Sequence, residues 1–253
     1  MIMQDNLGSI SFMISYLVII WIFLIKLIIK NGSKGAFKKR NLAWKWIFIA
    51  YFLLAFGDMF HLGFRIYNYF AGLSVGDSFY MITLGLGYVI SGLTMTYFYI
   101  AIFHAWVFIY RKNHSTSNKI KIITVTLYIA FIFRVILTLL PYNHWFEGDG
   151  AVDFGFDFRL ISSIPIYIIG IISVGLLFKD SRSELRESTG IDYQLNRSNF
   201  IASIWYIISF ITYSITIFFV AIFPLTGLFM IPKTIAYLVA FYYHYKFLLN
   251  REI

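Results

Sequence analysis

The sequence predicts an all-α, polytopic membrane protein, a single bundle of seven transmembrane helices occupying residues 1–253. Three observations carry that prediction. The chain is 60% apolar and only 13% charged, whereas soluble domains carry about a quarter charged residues. Its mean hydropathy is +0.75. The apolar residues also fall into seven runs near the roughly 20 residues that a helix needs to cross about 30 Å of hydrocarbon. Disorder is excluded by the same composition, because disordered chains are poor in apolar residues. The absence of cysteine excludes disulfides, thiolate nucleophiles and cysteine zinc sites.

The spans run approximately over 10–29, 46–70, 81–110, 122–140, 160–178, 200–223 and 228–249. In lipid every backbone group must be satisfied internally, so the choice lies between helices and a closed barrel. Long continuous apolar runs, rather than ten-residue in-out alternation, select helices. The first span is expected to be retained rather than cleaved. Its leader contains Asp5 and no Lys or Arg, whereas a signal peptide begins with a basic region. Trp44, Trp46, Trp106 and Tyr110 near span ends are expected at the interface.

Charge sets the threading. Lys26, Lys30, Lys34, Lys38, Lys39, Arg40 and Lys45 border the first loop, and Arg111, Lys112, Lys119 and Lys121 the third. Lys179, Arg182, Arg186 and Arg197 lie in the fifth, with Lys246 and Arg251 in the tail. Asp5, Asp77, Glu147, Asp149, Asp153 and Asp157 fall on the other side. The positive-inside rule then predicts an outer N-terminus, a cytoplasmic C-terminus and a multi-pass place in the cell membrane. The net charge of +9 is accounted for by threading beside anionic lipid, so nucleic acid is not an expected partner. The fifth loop, 179–199, reads as a polar connection of mixed charge.

The remaining cations of the 21 are Arg65, Arg134, Arg159 and Lys233, all in the outer half or at its rim. A charge at the bilayer centre costs about 2.5–3.5 kcal/mol on insertion scales, so such groups face the bundle interior and mark functional sites. Asp58, His61 and Arg65 stand at i, i+3 and i+7 on one face of span two, extended outward by Asn68. Lys233, Tyr237, Ala240 and His244 form one face of span seven. Tyr206, Ser209, Tyr213 and Thr216 form a similar stripe on span six. These stripes predict one outward-opening polar cavity with a formal surplus of three positive charges, Asp58 being its acid.

A low-dielectric site with that surplus suits an anionic guest, and arginine suits bidentate carboxylate or phosphate. The expected ligand-binding set is therefore Asp58, His61, Arg65, Arg134, Arg159, Lys233 and Tyr237, taking a small anion or lipid headgroup from the outer side. Two other readings use the same residues. An intramembrane lipid hydrolase or transferase would use Asp58 and His61 as its acid–base pair. A small-solute transporter would need an inner route, past His104 and His244, which are expected near each other.

No cofactor or metal is expected. A zinc site would have to be assembled from Asp58, His61 and His144, and the carboxylates of the fourth loop lack EF-hand spacing. Lys233 lies too near the outer end for a chromophore lysine. From 147 to 158, acids alternate with Val152, Phe154, Phe156 and Phe158, which predicts an extended lid over the bundle mouth. Gly85, Gly87 and Gly92 on span three are expected where helices pack closely.

Overall fold

The computed structural model describes residues 7–32, 42–74, 76–111, 117–147, 153–219 and 223–246. Seven helices fill them: α1 (Leu7–Gly32), α2 (Leu42–Phe70), α3 (Ser78–Tyr110), α4 (Asn118–Leu139), α5 (Asp153–Glu187), α6 (Gly190–Phe219) and α7 (Met230–His244). The described residues contain no strand. Helices α1 to α6 are each long and apolar enough to cross a membrane. The fold is thus a helical membrane bundle, as the sequence predicts.

The seventh helix is short at 15 residues, about 22 Å at 1.5 Å per residue. A 3-10 segment, Pro224–Phe229, leads into it and adds roughly 12 Å. The two together match the hydrocarbon thickness. Of the predicted span 228–249, residues 247–249 lie outside the described residues.

Side-chain register shows the helices alternating in direction. Tyr16 meets Asp58, Gly87 lies against His61, His104 meets Tyr128, Arg134 meets Ser162, Phe178 packs on Phe200, and Tyr213 faces Lys233. Helix α3 is central and packs against α2, α4 and α5, while α7 closes the bundle between α6 and α1. One end carries the start of α3 and the Pro141–Glu147 segment, and the other carries Arg111 and the α5–α6 connection.

The faces are sorted as lipid requires. Helix α4 exposes Ile122, Val125, Ile129, Ile132, Ile136 and Leu139, a helical stripe of bare aliphatics, and buries only Ile120, Leu127, Arg134 and Thr138. Its one arginine is thus on the inward face, where an intramembrane charge belongs. Helix α1 likewise buries Ile10, Met13, Tyr16, Ile20, Leu24 and Leu27 at spacings of three and four.

Helices α2 and α3 approach most closely at two glycines. A Cβ on Gly87 would lie 3.0 Å from the His61 Cα, and one on Gly57 would run into the Thr94 hydroxyl. Gly92 packs against the Arg134 guanidinium, whereas Gly85 makes room for Trp145 and Phe146 of the connecting segment rather than for a helix. The expectation of close helix packing holds at Gly87 and, against the Arg134 side chain, at Gly92, but not at Gly85, whose neighbour is the connecting segment.

Two connections differ from expectation. The alternating segment is not an extended lid: from Asp153 onward it is the beginning of α5, and 148–152 lie outside the described residues. Acids are favoured at a helix start by its dipole, so the helix beginning at the apolar run extends back through them. The predicted fifth loop is also helical. Helix α5 runs to Glu187 and α6 restarts at Gly190 (φ +61°), leaving Ser188 and Thr189 as the connection. Of the tryptophans near span ends, Trp44 is fully buried and stacked on Phe48 rather than turned outward, and the Trp106 indole donates to Asp180, which also pairs with Arg111 at 2.7 Å.

The segment after α4 is compact and packs on the start of α3 and on Arg159 of α5. Asn143, fully buried, donates through its amide to the carbonyls of Leu137 (2.6 Å), Thr138 (3.2 Å) and Leu140 (3.1 Å), satisfying the end of α4. Asn143→Ala should lower stability by about 1–3 kcal/mol, the usual cost of stranding buried acceptors. A melting curve in detergent reads this, and an unchanged midpoint would mean that the carbonyls find other donors.

Candidate functional site

The three polar stripes face the interior. Tyr206, Ser209, Tyr237, Ala240 and His244 are all 2% exposed or less. Asp58 accepts a hydrogen bond from the Tyr16 hydroxyl of α1 at 2.5 Å. Lys233 lies within electrostatic reach of that carboxylate, and its ammonium sits over the Tyr213 ring at 4.6 Å. The Tyr213 hydroxyl faces Ser163 and is within reach of the Arg134 charge. His61 is within electrostatic reach of both Arg65 and Lys233. Asp58, His61, Arg65, Lys233 and Tyr237 therefore belong to one neighbourhood, connected through Tyr213 to Arg134.

Arg134 is 3% exposed. Its guanidinium donates to the Ser162 carbonyl, to the Ser162 hydroxyl at 3.0 Å and to the Ser163 hydroxyl at 3.5 Å. All three acceptors are neutral oxygens. Among the described residues no carboxylate forms an ion pair with it. A buried cation held by neutral oxygens keeps most of its charge available to a nearby anion.

Arg159 has a different task from the one its sequence position suggests. Its Nε donates to the Asn143 carbonyl at 2.7 Å and its terminal nitrogen to the His144 carbonyl at 2.8 Å. The guanidinium also lies over the Trp145 ring at 4.9 Å. Trp145 in turn stacks on Tyr88, and Tyr88 packs on His61 at 5.0 Å between centroids. Arg159 thus fastens the segment after α4, which reaches the site through two aromatic rings.

Asp58 and His61 share a helical face without forming a pair. The carboxylate is turned to Tyr16, while the buried His61 Nδ1 has no hydrogen-bond partner and the ring lies against Tyr88. Side chains three residues apart on one helix need not meet when each finds a partner on a different neighbour. The acid–base pair of the hydrolase reading is therefore not assembled. His144 is turned to Glu147 at 2.6 Å, away from Asp58, and among the described residues no three His, Asp or Glu side chains gather as a metal set.

The two histidines of the opposite half do not meet either. His104 bonds Tyr128 at 3.0 Å and stacks on Trp46, whereas His244 bonds Tyr51 at 2.9 Å and Tyr206 at 3.3 Å. Between His244 and the cationic neighbourhood stands Phe98, fully buried and met edge-on by Tyr51, Tyr99, Tyr206 and Tyr237. This aromatic plug fills the bundle toward its Arg111 end.

Sequence reasoning missed Tyr16, Tyr99, Ser162 and Ser163. A signal for Tyr16 was present: it is the one hydroxyl on the buried row of α1, in register with Ile20 and Leu24. The serines carried none, since hydroxyls are common in membrane helices and ordinarily bond their own backbone. Comparison with protein-family profiles, with curated proteins and with solved structures finds no match to this chain.

Proposed function

We propose that the protein is a multi-pass protein of the cell membrane that binds a small anion, free or as a lipid headgroup, in the outer half of its bundle. The observation that carries this reading is Arg134, an interior cation with only neutral oxygens as partners. Arg65 and Lys233 add positive charge in the same region, and Asp58 offsets only part of it. A low-dielectric site of that balance attracts an anion far more strongly than water-exposed charges would. The Phe98 plug closes the opposite half, so the guest enters and leaves on one side, as in sensing or sequestration rather than transport. The Lys and Arg residues gathered in the loops of the opposite half support an outward-facing site by the positive-inside rule.

The test is the melting midpoint of the purified chain in a neutral detergent. It is titrated with inorganic phosphate, glycerol 3-phosphate and a short-chain phosphatidic acid against sodium chloride at equal ionic strength. Binding at a hundredfold excess over Kd stabilises by about 2.7 kcal/mol, so a dose-dependent rise of several degrees is expected for at least one anion. A rise with phosphate points to a free anion, and one confined to phosphatidic acid points to a headgroup. If no anion exceeds the chloride control, the reading is wrong.

A further inference from the structure

The hydroxyls that surround Phe98 form a sequence of their own. Tyr237 lies within electrostatic reach of Asp58 and Tyr16 and bonds Tyr99 at 2.7 Å. Tyr206 bonds Tyr51 at 2.6 Å, and both hydroxyls bond His244 Nδ1. Ser209, fully buried and one turn from Tyr206 on α6, faces the Tyr237 hydroxyl. The Tyr237 and Tyr206 rings are 6.3 Å apart between centroids. At the far end His244 Nε2 is buried and unpartnered. We propose that this series, Asp58–Tyr237–Ser209–Tyr206–Tyr51–His244, is a proton relay joining the polar neighbourhood of Asp58 to the Arg111 end of the bundle.

Helix packing alone does not explain five buried tyrosines here. Interhelical hydrogen bonds in membranes stabilise by only about 0.6 kcal/mol on average, and phenylalanine would fill nearly the same volume. A phenol or serine hydroxyl both donates and accepts, so each link carries a proton in either direction. Intramembrane chains that begin at an acid and end at a histidine are the usual build of a proton path. Only O–H and N–H bonds change. Asp58, protonated by water from its own side, releases a proton to Tyr237, each hydroxyl takes one and gives its own to the next, and His244 accepts at Nδ1 and releases the Nε2 proton to water entering from the Arg111 end. Rotation of the hydroxyls and of the imidazole resets the chain. The charged and titratable groups facing its entrance are Tyr16 from α1, His61 and Arg65 from α2 and Lys233 from α7. The relay shares Asp58 and Tyr237 with the proposed anion site, whereas Tyr206, Tyr51 and His244 lie outside that set and are the residues its test changes.

The experiment places the full chain in phosphatidylcholine vesicles with a trapped pH dye and drives protons inward with a potassium diffusion potential. The protein is expected to admit protons several-fold faster than empty vesicles. Tyr51→Phe and Tyr206→Phe should each lower the protein-dependent rate at least about tenfold, because each removes one link, while Tyr193→Phe, at an exposed site, leaves it unchanged. Melting midpoints confirm folding. Should a tyrosine variant fail to fold, His244→Gln interrupts the same path. A wild-type rate equal to that of empty vesicles, or folded variants as fast as the wild type, overturns the relay.

Discussion

Arg134→Met is expected to leave the bundle folded, with a stability within about 2 kcal/mol of the wild type, and to weaken its response to anions. The stability half of this expectation follows from two opposed terms. Each hydrogen bond to a charged group contributes about 1.5–3 kcal/mol, and Arg134 makes such bonds to Ser162 and Ser163. Against them stands the penalty for a buried cation without an anionic partner, which is of similar size. Methionine fills much of the volume and removes both. The serines are not stranded, because their hydroxyls still donate to the Arg159 carbonyl at 3.0 and 2.8 Å. Arg134→Ala differs by leaving a cavity, at about 2–5 kcal/mol. A residue kept for structure would show a large loss in both variants. A residue kept for its charge shows a small one in Arg134→Met, together with at least about a tenfold rise in anion Kd, equivalent to 1.4 kcal/mol. Calorimetric unfolding with and without the anion separates the two. A folded Arg134→Met protein that still binds normally would remove the arginine from the site.

Gly87→Ala should loosen the α2–α3 contact by the addition of one carbon. Its Cβ would meet two backbone atoms of α2, the His61 Cα at 3.0 Å and the Phe60 carbonyl oxygen at 3.3 Å. Neither moves without the helix. Overpacking of this kind costs about 1–3 kcal/mol, and Gly87→Leu should prevent the α2–α3 pair from closing. The displaced segment carries Asp58 and His61, so the anion response should weaken along with the melting midpoint. Gly63 provides the contrast on the same helix. Nothing lies within 4 Å of a Cβ built there, and Gly63→Ala should stabilise by up to about 1 kcal/mol through helix propensity alone. Equal effects at the two positions would mean that α2 and α3 are not as close as described.

The parts of this architecture that sequence reveals are those governed by the solvent. Apolar run length marks the helices, and the inward-facing stripes on α2, α6 and α7 follow from spacing, because lipid leaves few other places for Asp58, Tyr206 or Lys233. What sequence conceals is the choice of partner across helices. Asp58 and His61 share a face, yet the carboxylate goes to Tyr16 and the imidazole to Tyr88. Which neighbour lies where is decided by seven-body packing, and local spacing does not encode it. Arg159 is similar: spacing puts it at the rim but does not reveal that its guanidinium clasps the Asn143 and His144 carbonyls. Hydropathy also reports where hydrocarbon ends, not where a helix ends. Residues 179–187 and 190–199 are therefore polar without being a loop.

That last feature has a mechanical meaning. At 35 residues α5 is about 52 Å long, longer than a hydrocarbon layer of roughly 30 Å, and its polar residues 179–187 extend about 13 Å beyond the apolar run at the end joined to α6. Its tip is joined to α6 by two residues, with little slack. Two rods pinned at one tip swing as a single lever, and a small tilt inside the lipid becomes a larger sweep in the water beyond. Whatever touches that tip would feel the rocking of the bundle directly, without a slack tether in between.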